Sequence, residues 1–266
     1  MLLAIDVGNT NVTMGVFREE ELEATWRLAT DTHKLPDEYA LLIMNLLPLK
    51  GVDPQDIHSI AICSVVPPLT HVFEELSNNY FGFPPLVVGT GTRTGVRILY
   101  ENPRDVGTDR VVDAAAAYNL YGGPVIVVDF GTATVFDAIS REGDYLGGAI
   151  ASGINLTAEA LYERTSQLRR VELVPPKTAI GRNTAASIQS GILFGHVGMV
   201  EAMVHRFKAE IGHEAKVVAT GGMASLIQKE TSVFDAVNLD LTLVGLRLIY
   251  QLNADGKTVR DGDEHA

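Results

Sequence analysis

The feature that most constrains this chain is a stretch that occurs twice. LLAIDVGNTNVTMGVF (residues 2–17) and VIVVDFGTATVFDAI (residues 125–139) each run from an apolar strand pattern through Asp-x-Gly and a small polar turn into a second strand pattern. Asp6 and Gly8 are matched by Asp129 and Gly131. One Asp-x-Gly alone reads equally well as an ordinary turn or as a site, because Asp and Gly are common turn formers. Two of them, each directly behind an apolar strand, point to an internal duplication in which each copy opens its own lobe. The two phosphate-facing turns would then meet across a cleft.

The remaining pattern fits an α/β chain. Residues 2–6, 12–17 and 22–28 read as an antiparallel meander. A helix over 36–47, a strand over 59–66, a helix over 68–80 and a strand over 85–88 follow, an order that implies a mixed sheet covered by helices. The alanine-rich stretch 108–121 predicts a strong helix, stopped by Gly122, Gly123 and Pro124. That break is the expected boundary between an N-terminal lobe, 1–122, and a C-terminal lobe, 123–254. The second lobe carries predicted helices over 155–164, 184–211 and 239–252, with a strand over 216–220 running into Gly221 and Gly222. The charged, apolar-poor tail 255–266 is expected to be disordered. With 266 residues, 46% of them hydrophobic, the chain can bury two cores of roughly a hundred-odd residues each.

Composition removes several function classes. A net charge of −12 with no Lys/Arg cluster opposes binding to nucleic acid. The start has no basic segment ahead of its apolar residues, and no apolar run approaches the ~20 residues that span a bilayer. A cytoplasmic protein with no membrane partner is expected. Cys63 is the single cysteine, which excludes an intrachain disulfide and a cysteine-built zinc site and suits a small buried residue. The seven histidines show no metal-ligand spacing, and Ser64 lacks the glycines of a nucleophile elbow.

In the first turn, Asp6, Val7, Gly8, Asn9, Thr10, Asn11, Val12 and Thr13 combine a carboxylate, a glycine for close backbone approach, and amide and hydroxyl donors. Such a turn can hold β- and γ-phosphate oxygens, with Asp6 placed to hold Mg²⁺ directly or through water. For Asn9 and Asn11 turn geometry alone is an equal explanation. Thr132 offers a hydroxyl from the second turn. TGGM, at 220–223, could let the chain pass close to a nucleotide, although a plain strand-helix turn explains it as well. Asp109 and Arg110 fall in the first turn of a predicted helix, where an acidic residue is favourable for structural reasons alone.

The paired hairpins with a later strand-Gly-Gly-helix resemble the superfamily of actin, sugar kinases and heat-shock chaperone ATPases. Within it, DVGNTNVT, GTDR at 107–110, DFGTAT at 129–134 and GRNT ending at Thr184 resemble the type III pantothenate kinases, in that order and over nearly the whole chain. The resemblance implies two lobes of a duplicated actin-like, ribonuclease H-like fold with mixed sheets flanked by helices. It implies an ATP-dependent phosphorylation of pantothenate to 4′-phosphopantothenate, the first step of coenzyme A biosynthesis. It assigns Asp6 to Thr13 and Thr132 to ATP, Asp109 to general-base catalysis, and Tyr100, Gly107, Thr108, Asp109, Arg110 and Thr184 to pantothenate. Asp129 would hold K⁺ or NH₄⁺. Val135 departs from the family pattern, which often has another threonine there.

The chemistry suits these residue types. The attacking hydroxyl must lose a proton, which a carboxylate such as Asp109 can accept, and Arg110 can form a bidentate pair with the substrate carboxylate. Another small-molecule kinase on the same scaffold, or a non-catalytic ATP-binding regulator, are the rival readings. The short chain argues against the first, and Asp109, Arg110 and Asp129 together argue against the second. Finally, Gly191, Gly195 and Gly198 form a stripe on the predicted helix 184–211, matching either a close intrachain crossing or a two-fold contact. The family resemblance implies a homodimer, and leaves open whether Thr184 serves the pocket of its own chain or that of the partner.

Overall fold

The computed structural model describes residues 1–164 and 170–258, the side chains of 255–258 excepted. The chain opens with β1 (Leu2–Val7), β2 (Asn11–Arg18) and β3 (Glu21–Ala29), then α1 (Pro36–Leu49), β4 (Ser59–Ser64), α2 (Pro67–Leu76), β5 (Leu86–Val87), β6 (Arg97–Ile98) and α3 (Thr108–Tyr121). It continues through β7 (Val125–Phe130), β8 (Ala133–Ile139), β9 (Asp144–Ser152), α4 (Ile154–Arg164), α5 (Thr184–Ile211), β10 (Lys216–Thr220), the single turn α6 (Ala224–Ile227), β11 (Ala236–Val237) and α7 (Leu241–Thr258).

The duplication seen in the sequence is repeated in the sheets. The first is ordered β3-β2-β1-β4-β5; the second contains β9-β8-β7-β10-β11, with β6 added outside β9. In both, the central strand is antiparallel to the second strand of its hairpin and parallel to the strand that follows the crossover. The third hairpin strand is antiparallel to the second in each copy. β1 and β7 share one burial pattern: every residue is buried except the fifth, which is Asp6 in one and Asp129 in the other. This is the duplicated actin-like arrangement that the sequence predicts.

The chain divides into two compact units. The first comprises Met1–Arg97, Glu101–Ala116 and the last helix; the second comprises Ile98–Tyr100 and Ala117–Asp240. The division therefore falls inside α3 and not at Gly122, and α7, which follows the second half in sequence, packs on β1 and β4 of the first. Its apolar face (Leu243, Leu246, Ile249) is buried against Leu2, Ala4, Ala61 and Val112, a long-range pairing that periodicity cannot show. On the opposite face of the first sheet, α1 and α2 close a core in which the rings of Tyr39 and Phe73 lie 4.9 Å apart. In the second unit Ile192, Leu193, Val197, Val200 and Val204 of α5 share one core with Ile126 and Val128 of β7, Phe136 of β8 and Val217 of β10. Each such fully buried side chain contributes about 1.5 to 3 kcal/mol.

Three strands differ from the sequence reading. β9 escapes it because Gly147 and Gly148 interrupt the alternation and weaken strand propensity. β6 and β11 are two residues each, too short to show a period. The final helix runs on to Thr258, so the first residues of the predicted tail continue a helix, and 259–266 lie outside the described residues.

Candidate functional site

In the first unit the polar turn is held by three hydrogen bonds, one within it and two from Thr30. The N–H of Gly8 donates to the Asn11 carbonyl at 3.0 Å. Thr30, just past β3, donates its N–H to the Thr10 carbonyl at 3.0 Å and its hydroxyl to the Gly8 carbonyl at 2.6 Å. Val7 and Val12 are buried anchors, while Asn9, Thr10 and Asn11 are exposed. The result is a fixed loop with its donors presented to solvent, which is what a phosphate grip requires. Asp6 stands in register with Thr13 on one side and Cys63 on the other.

The end of β4 brings a second group to this region. Thr108, the first residue of α3, donates its hydroxyl to the Ser64 carbonyl at 3.0 Å and receives the Cys63 thiol at 3.4 Å. Burial pushes the Cys63 thiol well up, and the neighbouring carboxylates of Asp6, Asp109 and Asp113 push it further, so it is an inert thiol. Asp109 follows Thr108 and is half-buried. Desolvation lifts its carboxyl above the usual range, opposed by the Arg110 N–H, which donates to Oδ1 at 2.8 Å, and by the Arg110 charge. Its carboxylate lies against Gly107: a β-carbon at that position would stand 2.5 Å from Asp109 Oδ1. One turn further on, buried Asp113 accepts the Thr242 hydroxyl at 2.7 Å, fastening α3 to α7. The first unit thus gathers Asp6 to Thr13 and the GTDR residues around the ends of β1 and β4.

In the second unit Asp129 occupies the place that Asp6 holds in the first. Its strand partners are Val135 and Thr220 where Asp6 has Thr13 and Cys63, so each copy sets one threonine and one less polar residue beside its aspartate, on opposite sides. Gly221, at φ +88°, backs onto this turn: a β-carbon there would run into Asp129 Oδ1 and come within 2.7 Å of the Phe130 backbone. Gly153 backs it from β9, where a β-carbon would meet the carbonyls of Thr132 and Gly131. Gly131 and Thr132 themselves are exposed. Thr134 is buried and shares a 2.9 Å hydrogen bond with His196 Nε2, and burial lowers the His196 pKa towards the neutral ring.

Thr184 begins α5, exposed, behind Asn183, whose side chain caps the helix by accepting the Ala186 N–H at 2.9 Å. Tyr100 follows β6 and is 37% exposed. Sequence reasoning missed Thr30, Gly153 and His196. Thr30 and Gly153 act through the ends of third hairpin strands, and His196 was passed over because it matches no ligand spacing. TGGM supports the Asp129 turn from behind.

Among the described residues no three His, Cys, Asp or Glu side chains cluster as a metal cage. A single half-buried carboxylate such as Asp6 is the kind of group that holds Mg²⁺ arriving with nucleotide phosphates, because this ion keeps most of its waters and commonly takes only one or two carboxylates. Asp129 is half-buried and backed by Gly131 and Gly221, where a built β-carbon would meet its carboxylate.

A family model described as type III pantothenate kinase matches residues 2–206. The chain is 52% identical over 253 residues to the type III pantothenate kinase of Moorella thermoacetica, covering 95% of this chain and all of that one. It is 51% identical to that of Dehalococcoides mccartyi over 252 residues, 95% and 96% of the two chains. Among solved structures, a Baf family protein of Campylobacter jejuni superposes with a TM-score of 0.61 at 19% identity, over 95% of this chain and 99% of the other, a likeness of fold alone.

Proposed function

The chain belongs to the type III pantothenate kinase family, and from that membership we propose how its residues divide the reaction. The enzyme phosphorylates pantothenate at the expense of ATP, giving 4′-phosphopantothenate for coenzyme A biosynthesis.

Asp109 is the base. The substrate hydroxyl oxygen forms a bond to the γ-phosphorus, the bond from that phosphorus to the bridging oxygen breaks, ADP departs, and the hydroxyl proton passes to the Asp109 carboxylate. The observation that carries this assignment is the desolvated, Gly107-backed position of that carboxylate, which raises its pKa and makes it a better proton acceptor. Arg110 pairs with the pantothenate carboxylate; Tyr100, Gly107, Thr108 and Thr184 complete the acceptor contacts. The turn from Asp6 to Thr13 and the hydroxyl of Thr132 hold ATP. Mg²⁺ on Asp6 and K⁺ or NH₄⁺ on Asp129 would neutralise phosphate charge when bound.

Assembly is a two-fold homodimer through α5. Gly191, Gly195 and Gly198 are exposed, and a β-carbon at any of them would meet nothing within 4 Å, so among the described residues no crossing helix uses the stripe. A second copy of this chain fits it. No helix among the described residues is long and apolar enough to cross a membrane. The test is purified protein with ATP, Mg²⁺ and K⁺ against pantothenate, glucose, N-acetylglucosamine and acetate. Phosphorylation of pantothenate alone is expected, and turnover of a sugar or acetate in its place would reject the reading.

A further inference from the structure

Beneath Tyr100 lies a buried polar pair that the reaction itself does not use. Tyr145 on β9 is fully buried, and its phenol donates to Asp137 Oδ1 on β8 at 2.7 Å; Asp137 is only 2% exposed. A carboxyl group so placed is removed from water, and the hydrogen bond from the phenol satisfies it and fixes the geometry of both side chains. A phenylalanine facing a valine would fill the same space without that penalty, so what the pair adds is orientation.

What it orients is the segment carrying Tyr100. The rings of Tyr145 and Tyr100 are 6.4 Å apart and inclined at 53°, within the range of a favourable aromatic pair. The Tyr145 carbonyl accepts the Leu99 N–H at 2.9 Å, so the residue that sets the ring also ties the chain just before Tyr100 to the sheet edge. Gly147, at φ +131°, completes the seat: a β-carbon there would lie 3.5 Å from the Tyr100 ring, in ordinary contact, which marks how closely the ring rests on the β9 backbone. Tyr100 thus has one side held by β9 and remains partly open to solvent.

We infer that Tyr145 and Asp137 are positioning residues that hold Tyr100 in place for the acceptor. The inference rests on the reading of Tyr100 as a pantothenate contact. Acting through Tyr100, the pair controls how well pantothenate is bound, and it leaves the ATP turns untouched.

The experiment is a double-mutant cycle on the full-length enzyme, with KM for pantothenate, KM for ATP and kcat measured separately and folding checked by thermal melting. Tyr145→Phe keeps the ring and removes only the donor. It is expected to raise the pantothenate KM about 5- to 30-fold, the range of one lost buried contact, with the ATP KM within about twofold. Added to Tyr100→Ala, it should change the pantothenate KM no further, because its route to the substrate is already gone. A merely structural role would instead weaken both substrates, or would add its full effect on the Tyr100→Ala background, and either result overturns the inference. So does a Tyr145→Phe enzyme with parental pantothenate KM. If Tyr145→Phe does not fold, Asp137→Asn, which keeps an acceptor but removes the charge, must raise the pantothenate KM in the same selective way. A Tyr100→Ala enzyme with parental KM is a different failure: it removes Tyr100 from the site and takes the inference with it.

Discussion

The carboxylate of Asp109 folds back over Gly107, so closely that a β-carbon at residue 107 would stand 2.5 Å from its Oδ1. The obstacle would be the far end of a flexible side chain, so the fold would survive an added methyl and the carboxylate would move. Gly107→Ala is therefore expected to melt within a few degrees of the parent and to lose on the order of 10²-fold in kcat, the scale of an ångström-sized misplacement. Steady-state kinetics beside a melting curve check both halves.

Desolvation raises the Asp109 pKa, and the sign of the consequence is definite. With the folded-state pKa above the unfolded value of about 3.9, the group's contribution to stability is present below about pH 4 and is lost as pH rises through the raised pKa. Above it the fold carries an ionised, poorly solvated carboxylate. Asp109→Asn should accordingly melt higher than the parent at pH 8, with the difference vanishing near pH 4. For the parent, activity should fall on the acid side at a pH above that of an ordinary aspartate. Melting temperatures of the two proteins across that range decide the point.

The second aspartate is held from behind by Gly221, whose left-handed backbone and lack of a β-carbon both matter. The obstacle there includes the Phe130 backbone, which cannot swing aside. Gly221→Ala is expected to destabilise the enzyme by about 1 to 3 kcal/mol, the usual range for strain of this kind, and to raise the K⁺ concentration needed for half-maximal rate. The parent should need K⁺ or NH₄⁺ and turn over poorly in Na⁺ alone. Equal rates in matched Na⁺ and K⁺ buffers would remove Asp129 from cation binding.

Along α5 the three exposed glycines offer a test of assembly. A β-carbon at Gly195 would meet nothing within 4 Å among the described residues, so the monomer should tolerate a leucine, yet the side chain would stand where a second backbone is expected to pack. Light scattering should report a dimer for the parent. For Gly195→Leu it should report a monomer or aggregate, with pantothenate binding lost. A parental protein that is monomeric at micromolar concentration and fully active would contradict the dimer.

Much of this was legible in the sequence for a physical reason. The pairing of Asp6 with Asp129 lies in contiguous segments whose strand, turn and strand follow from local alternation, and helices such as α3 and α5 declare themselves by composition and caps. What stayed hidden depends on distant parts of the chain. Thr30 pins a turn at Gly8, 22 residues earlier in the sequence. Gly153 shapes a turn through a strand whose glycines erased its own pattern. Packing of α7 on the first unit joins the two ends of the chain, and the support of Tyr100 by Asp137 and Tyr145 is visible only once β8, β9 and β6 are laid side by side.

The most direct measurement is turnover of Asp109→Asn with pantothenate at saturating ATP, Mg²⁺ and K⁺, alongside equilibrium binding of ATP. The assignment of Asp109 as the base gives a loss of about 10² to 10⁴ in kcat with ATP affinity close to parental, the range for removal of a general base. An Asn variant that phosphorylates pantothenate at nearly the parental rate would contradict it.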